Sequence, residues 1–104
     1  MTISTAIIDF LSHLHGLERG PDGSALDLST GLIMEADENF PDGEMLRVVY
    51  QNGMKHTVPM NRLVDVYLLR HANAMSITEE EGGGVKEQYE AIVHHFTVKT
   101  GFDI

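Results

Sequence analysis

The chain reads as an α+β domain: an N-terminal helix, an antiparallel sheet of three or four short strands, then two helices packed on the sheet. Three observations lead there. Ile7, Phe10, Leu11 and Leu14 recur at i, i+3, i+4 and i+7, the spacing of one helical face. Asn52-Gly53 stands between two β-prone runs, the strongest short hairpin signal. Val85, Tyr89, Ile92, Val93 and Phe96 make a second helical stripe toward the C-terminus.

The first helix is expected over about residues 4–15, with Thr2 or Ser4 accepting the unpaired N–H groups at its start and Gly16 entering the left-handed region at its end. Two similar stretches follow. Pro21-Asp22-Gly23 and Pro41-Asp42-Gly43 each mark a turn, Pro by presetting φ and Gly by closing it, and each runs into alternating apolar residues. The first predicts strands at 25–28 and 32–36, broken at Ser29-Thr30-Gly31. The second predicts a hairpin of 45–51 and 54–58 across Asn52-Gly53. In that pairing Leu46, Val48 and Tyr50 share a face with Lys55 and Thr57, and Met45, Val49 and Val58 share the other with Arg47 and His56. Pro59 suits a first helical turn, and Met60, Leu63, Val64, Tyr67, Leu68 and His71 continue a helical face over about 60–73. A flexible, acidic, Gly-rich connection is expected over about 76–84. In the last helix Lys86 and Glu90 pair at i, i+4, Lys99 favours the negative C-terminal end, and Gly101 lets Phe102 fold back.

The 104 residues are enough for one small domain, 1–104, with one modest core. A hydrophobic content of 42% argues against wholesale disorder. Cysteine is absent, which removes disulfides and thiolate metal sites and suits a cytoplasmic location. No basic n-region precedes the first apolar run and no apolar stretch approaches a membrane span, so neither a signal peptide nor a membrane partner is expected.

Charge is the most uneven property. The chain carries a net −9, and the acidic half, 1–44, holds nine carboxylates against one base, Arg19. Five of them, Glu35, Asp37, Glu38, Asp42 and Glu44, fall within ten residues. Such a field repels nucleic acid and anionic membrane and attracts basic surfaces. It is sparse beside DNA: ten extended residues span about 33 Å, whereas duplex DNA has one charge per about 1.7 Å. A denser surface requires the acids of 18–27 to fold alongside those of 35–44.

Catalytic chemistry finds no foothold. His13 and His15 point apart on a helix, as do the adjacent His94 and His95. Asp9–His13 and Glu90–His94 are i, i+4 pairs, but they form a metal site only if the fold joins them. The zinc-protease pattern H-E-x-x-H is missing. The stretch from Asp37 lacks the glycine an EF-hand needs at its sixth position, where Asp42 stands. Gly82-Gly83-Gly84 follows three glutamates, which repel phosphate. No nucleophile elbow surrounds any Ser or Thr.

These features point away from an enzyme and away from any cofactor or resident metal. They point to a small protein-binding module, an inhibitor that blocks a basic nucleic-acid-binding surface of a partner protein. Its expected partner-binding residues are Asp22, Asp27, Glu35, Asp37, Glu38, Asp42 and Glu44. In composition the chain resembles phage anti-defence proteins, anti-CRISPRs included, and toxin-immunity proteins and secretion chaperones. That resemblance implies an anti-defence or immunity-like role. Two other readings are a His and carboxylate metal-binding protein using His13, His94 or His95, and a homo-oligomeric assembly module that buries an apolar sheet face against a copy.

Overall fold

A computed structural model describes residues 2–42, 44–78 and 84–104. Helix α1 (Ile3–His15) begins where Thr2 Oγ1 accepts the Thr5 N–H at 3.2 Å. It ends at Gly16, whose φ of 63° no β-carbon opposes and whose N–H returns to the Ser12 carbonyl. Then come β1 (Glu18–Arg19), β2 (Ala25–Asp27), β3 (Leu32–Ala36), β4 (Met45–Val49) and β5 (Lys55–Pro59). Helices α2 (Met60–Thr78) and α3 (Val85–Thr100) complete the chain. No helix among the described residues is long and apolar enough to cross a membrane.

The strands form one antiparallel sheet in chain order, β1-β2-β3-β4-β5, because every connection between them is a turn or short loop. Among the described residues there are five strands rather than three or four. The extra one is β1, two residues pairing Glu18 with Leu26 and Arg19 with Ala25. So short a segment has no alternating pattern to betray it.

The β4–β5 pairing differs from expectation by one residue. A two-residue Asn52-Gly53 turn would set Gln51 opposite Met54. Instead the loop is three residues long: Tyr50 N–H donates to the Met54 carbonyl, Gly53 N–H to the Tyr50 carbonyl, and Gly53 sits at φ 85°. Leu46 therefore opposes Val58, and Val48 opposes His56. A shift of one residue carries a whole strand's side chains to the other face. Leu46, Val48 and Val58 thus share the helix-covered face, while Met45, Arg47 and Val49 share the opposite one with Lys55 and Thr57. Half-buried Leu26, Ile33, Met45 and Val49 on that opposite face lie outside the core.

The core lies between the inner sheet face and the helices. Ala25, Met34 and Leu46 from the strands meet Ile7, Ile8 and Leu11 of α1 and Met60, Val64 and Leu68 of α2. From α3, Phe96 is fully buried and packs edge-on against Phe10 (ring centroids 5.2 Å apart) and against Phe102. Tyr89 OH donates to Asp65, joining α3 to α2; that bond, aided by burial, pushes the phenol up to about 12. Helix α2 runs five residues beyond the expected limit, through Ala74–Thr78, so the connection expected over 76–84 starts later. Its glutamates and first glycines, 79–83, lie outside the described residues.

Truncating Phe96 to Ala is expected to cost about 3–5 kcal/mol, read as a fall in the urea midpoint at unchanged slope. Gly31 adopts φ 75° with the Gln51 side chain where a β-carbon would stand. Gly31→Ala is expected to cost about 1–2 kcal/mol from backbone conformation alone. Adding Gln51→Ala should recover only the steric part, so the double variant stays less stable than Gln51→Ala.

Candidate acidic interaction surface

The seven predicted acids go to different places, and a turn habit explains much of the sorting. Asp22 Oδ1 accepts the N–H and hydroxyl of Ser24 (3.0 and 2.6 Å), Asp27 Oδ1 those of Ser29 (3.0 and 2.7 Å), and Asp37 Oδ1 the N–H of Asn39 at 3.0 Å. Each carboxylate imitates a backbone carbonyl and closes a turn two residues on. Two of the three are then carried inward: Asp27 is 2% exposed and Asp37 5%.

Asp27 is the most heavily engaged. Its second oxygen, Oδ2, accepts Tyr67 OH at 2.8 Å and Arg70 Nη1 at 3.0 Å, both from α2. Burial alone would push this carboxyl up. The hydrogen bonds from Ser29, Tyr67 and Arg70 outweigh it and hold the group well below the usual carboxylate range. Burial, with the Asp27 hydrogen bond, pushes the Tyr67 phenol upward. Beside them His15 Nε2–H donates to the Tyr67 carbonyl at 2.8 Å, and its ring lies 6.3 Å from that of His71. Burial lowers the His15 imidazole; its carbonyl bond opposes this, and the Arg70 and His71 charges reinforce it. Every acceptor of Asp27 is satisfied from within the chain, so its carboxylate joins sheet to helix.

Glu35 is also engaged, accepting Arg47 Nε at 2.9 Å across the β3–β4 ladder on the uncovered sheet face. The Arg47 Nη2 lies 3.6 Å from Glu38, whose side chain remains 78% exposed. Asp42 and Glu44 are exposed in the β3–β4 connection. That connection is fixed at both sides: Ser4 Oγ of α1 donates to the Phe40 carbonyl, and Met60 N–H to the Glu44 carbonyl. Because Ala25 pairs with Met34, the β1–β2 turn lies at the same end of the sheet as the connection after Ala36. Asp22 and Ser24 indeed line one hollow with Ala36 and Arg47. The fold thus gathers Asp22, Glu38, Asp42 and Glu44 at one end, where Glu35 is paired with Arg47 in the same hollow as Asp22 and Asp37 is buried in the connection. Asp27 sits at the far end of β2.

The sequence reasoning missed the counterparts. Arg47 is the one base of its strand and Arg70 one of two arginines on α2, and nothing local announces their partners 12 and 43 residues away. The Asx turns were legible: Asp22-Gly23-Ser24, Asp27-Leu28-Ser29 and Asp37-Glu38-Asn39 repeat one spacing.

Histidines meet only in pairs, His15 beside His71 and His13 with His95 along the α1–α3 groove. His13 Nδ1–H donates to the Asp9 carbonyl, while the Asp9 carboxylate takes Arg19, so that pair offers no ligand couple. His56 packs on Tyr50 and His95 on Phe10. Among the described residues no three His, Asp or Glu side chains are placed to hold a metal ion.

Searches against protein-family models, curated proteins and solved structures find no match to this chain.

The pH dependence follows from two groups. His15 favours its neutral form in the fold, so its contribution is full above about pH 6.5 and fades as pH falls below it. Asp27 is depressed, so its contribution is full above about pH 4 and fades as pH falls further. Acid urea titrations should therefore show two stages of destabilisation. His15→Gln should remove the first, and Asp27→Asn should shrink the second while costing about 2–3 kcal/mol at neutral pH.

Proposed function

We propose that this chain is a binding module whose acidic sheet end steers it onto a basic, nucleic-acid-binding groove of a partner protein, which it then blocks. The observation that carries the reading is the gathering of Asp22, Glu38, Asp42 and Glu44 at one end of the sheet, where the bases nearby are Arg47, already paired with Glu35, and Arg19, which donates to the Gly23 carbonyl and pairs with Asp9. The half-buried Leu26, Ile33, Met45 and Val49 on the uncovered sheet face supply apolar area beside that end. Charges at an interface chiefly set on-rate and specificity, whereas apolar burial sets most of the affinity. In this reading the carboxylates guide approach and the sheet face holds the complex. It has no catalytic residue and no cofactor, and it works in the cytoplasm by occupying a groove that nucleic acid would otherwise enter.

The assembly-module reading uses the same sheet face against a second copy. The β5 edge argues against a continuous sheet between copies, since Lys55 at its start and Pro59 at its end are the residues that blunt strand edges.

Charge reversal at Asp22, Glu38, Asp42 and Glu44 should slow association with a captured nucleic-acid-binding partner on the order of tenfold at low salt, with a smaller effect at high salt. Reversal of Glu87 and Glu90 on α3 is the control and should change little. Equal rates for both variants would remove the acidic end from the interface. Light scattering on the isolated chain separates the assembly module, which self-associates, from the blocking module, which need not.

A further inference from the structure

We propose that the groove between α1 and α3 binds a small amphipathic carboxylate, with its apolar body on Ala6, Phe10 and Leu14 and its anionic head at Lys99 and His95. Helix α1 has two apolar stripes. One, with Ile7, Ile8 and Leu11, is buried in the core. The other, Ala6, Phe10 and Leu14 at i, i+4 and i+8, is only half covered. Helix α3 runs beside it, with Phe96 seated edge-on against Phe10, and the two helices leave a cavity of about 470 Å³. That volume lies within the range of small-molecule sites.

The groove's polar rim is unlike the rest of this acidic chain. Its one carboxylate, Asp9, is taken by Arg19. His13 has committed one ring nitrogen to the Asp9 carbonyl. Among the described residues Lys99 forms no ion pair and His95 makes only its ring contact with Phe10, 5.4 Å between centroids. Among the described residues, this chain of net charge −9 therefore presents here an ammonium outside any ion pair and an imidazole without a hydrogen-bond partner above an apolar floor. Charge complementarity calls for an anion, and the floor calls for an apolar body behind it. The stripe from Ala6 to Leu14 is about 12 Å long. That length suits a medium-chain acyl carboxylate and is too short for a docked protein helix.

The site is separate from the acidic sheet end, and the test keeps the two apart. The probes are decanoate, acetate and decyltrimethylammonium, followed by calorimetry and by amide chemical shifts of the whole chain. Decanoate should bind with shifts centred on Ala6, Phe10, Leu14, His95 and Lys99. Acetate, which lacks the body, and decyltrimethylammonium, which inverts the charge, should each bind at least tenfold more weakly. Lys99 is exposed, so Lys99→Glu should fold normally and weaken decanoate at least tenfold. Ala6→Trp, which fills the groove, should abolish binding. The four-residue reversal of the acidic end should leave decanoate affinity unchanged. Equal affinity for the cationic probe, unaltered affinity in Lys99→Glu, or shifts confined to Leu26, Ile33, Met45 and Val49 would overturn the assignment.

Discussion

The carboxylate of Asp27 is the constraint around which this molecule is arranged. An ionised group taken out of water is costly unless its lone pairs are met in full. Asp27 meets that condition with two donors from its own turn and two from α2. The arrangement links β2, the turn after it and the middle of α2 in one step. Apolar contacts alone would let α2 slide or rotate over Met34 and Leu46, because such contacts are not directional. The hydroxyl of Tyr67 and the guanidinium of Arg70 reach Asp27 in one rotation of the helix. Arg70, 40% exposed at its side chain, keeps part of its charge in water, which softens the desolvation cost.

Acidic residues serve two purposes in this chain, and composition cannot separate them. Asp22, Asp27 and Asp37 shape turns through the same i to i+2 hydrogen bond. Glu35 belongs to a cross-strand ion pair with Arg47. Of the acids around this end of the sheet, Asp22, Glu38, Asp42 and Glu44 stay exposed. A linear count of carboxylates therefore overstates the field at any one place. The field that survives is concentrated where two connections meet.

Much of the architecture was legible because it rests on local rules. Helical spacing revealed α1 and α3, and Gly16 and Gly101 ended them as their left-handed geometry requires. The two hairpins of β2–β3 and β4–β5 followed from turn residues. Three features escaped for physical reasons. Strand β1 is held by pairing with β2, not by its own pattern. The β4–β5 register depends on one added loop residue, Gln51, which the Asn-Gly signal does not encode. The end of α2 escaped because its apolar face stops near Ala72, while no Gly or Pro interrupts the chain before Gly82. At the candidate site the obstacle was distance along the chain. Arg47 and Arg70 neutralise acids that are neighbours only after folding.

The three-residue β4–β5 loop leaves Met54 at its base, 54% exposed beside the turn, whereas Met34 and Met60 are sealed in the core. Thioether oxidation follows access. Peroxide therefore reaches Met54 well before either core methionine, and a sulfoxide there adds polarity where water already is. Among the described methionines, the hairpin tip takes oxidative damage first while the interior stays chemically intact.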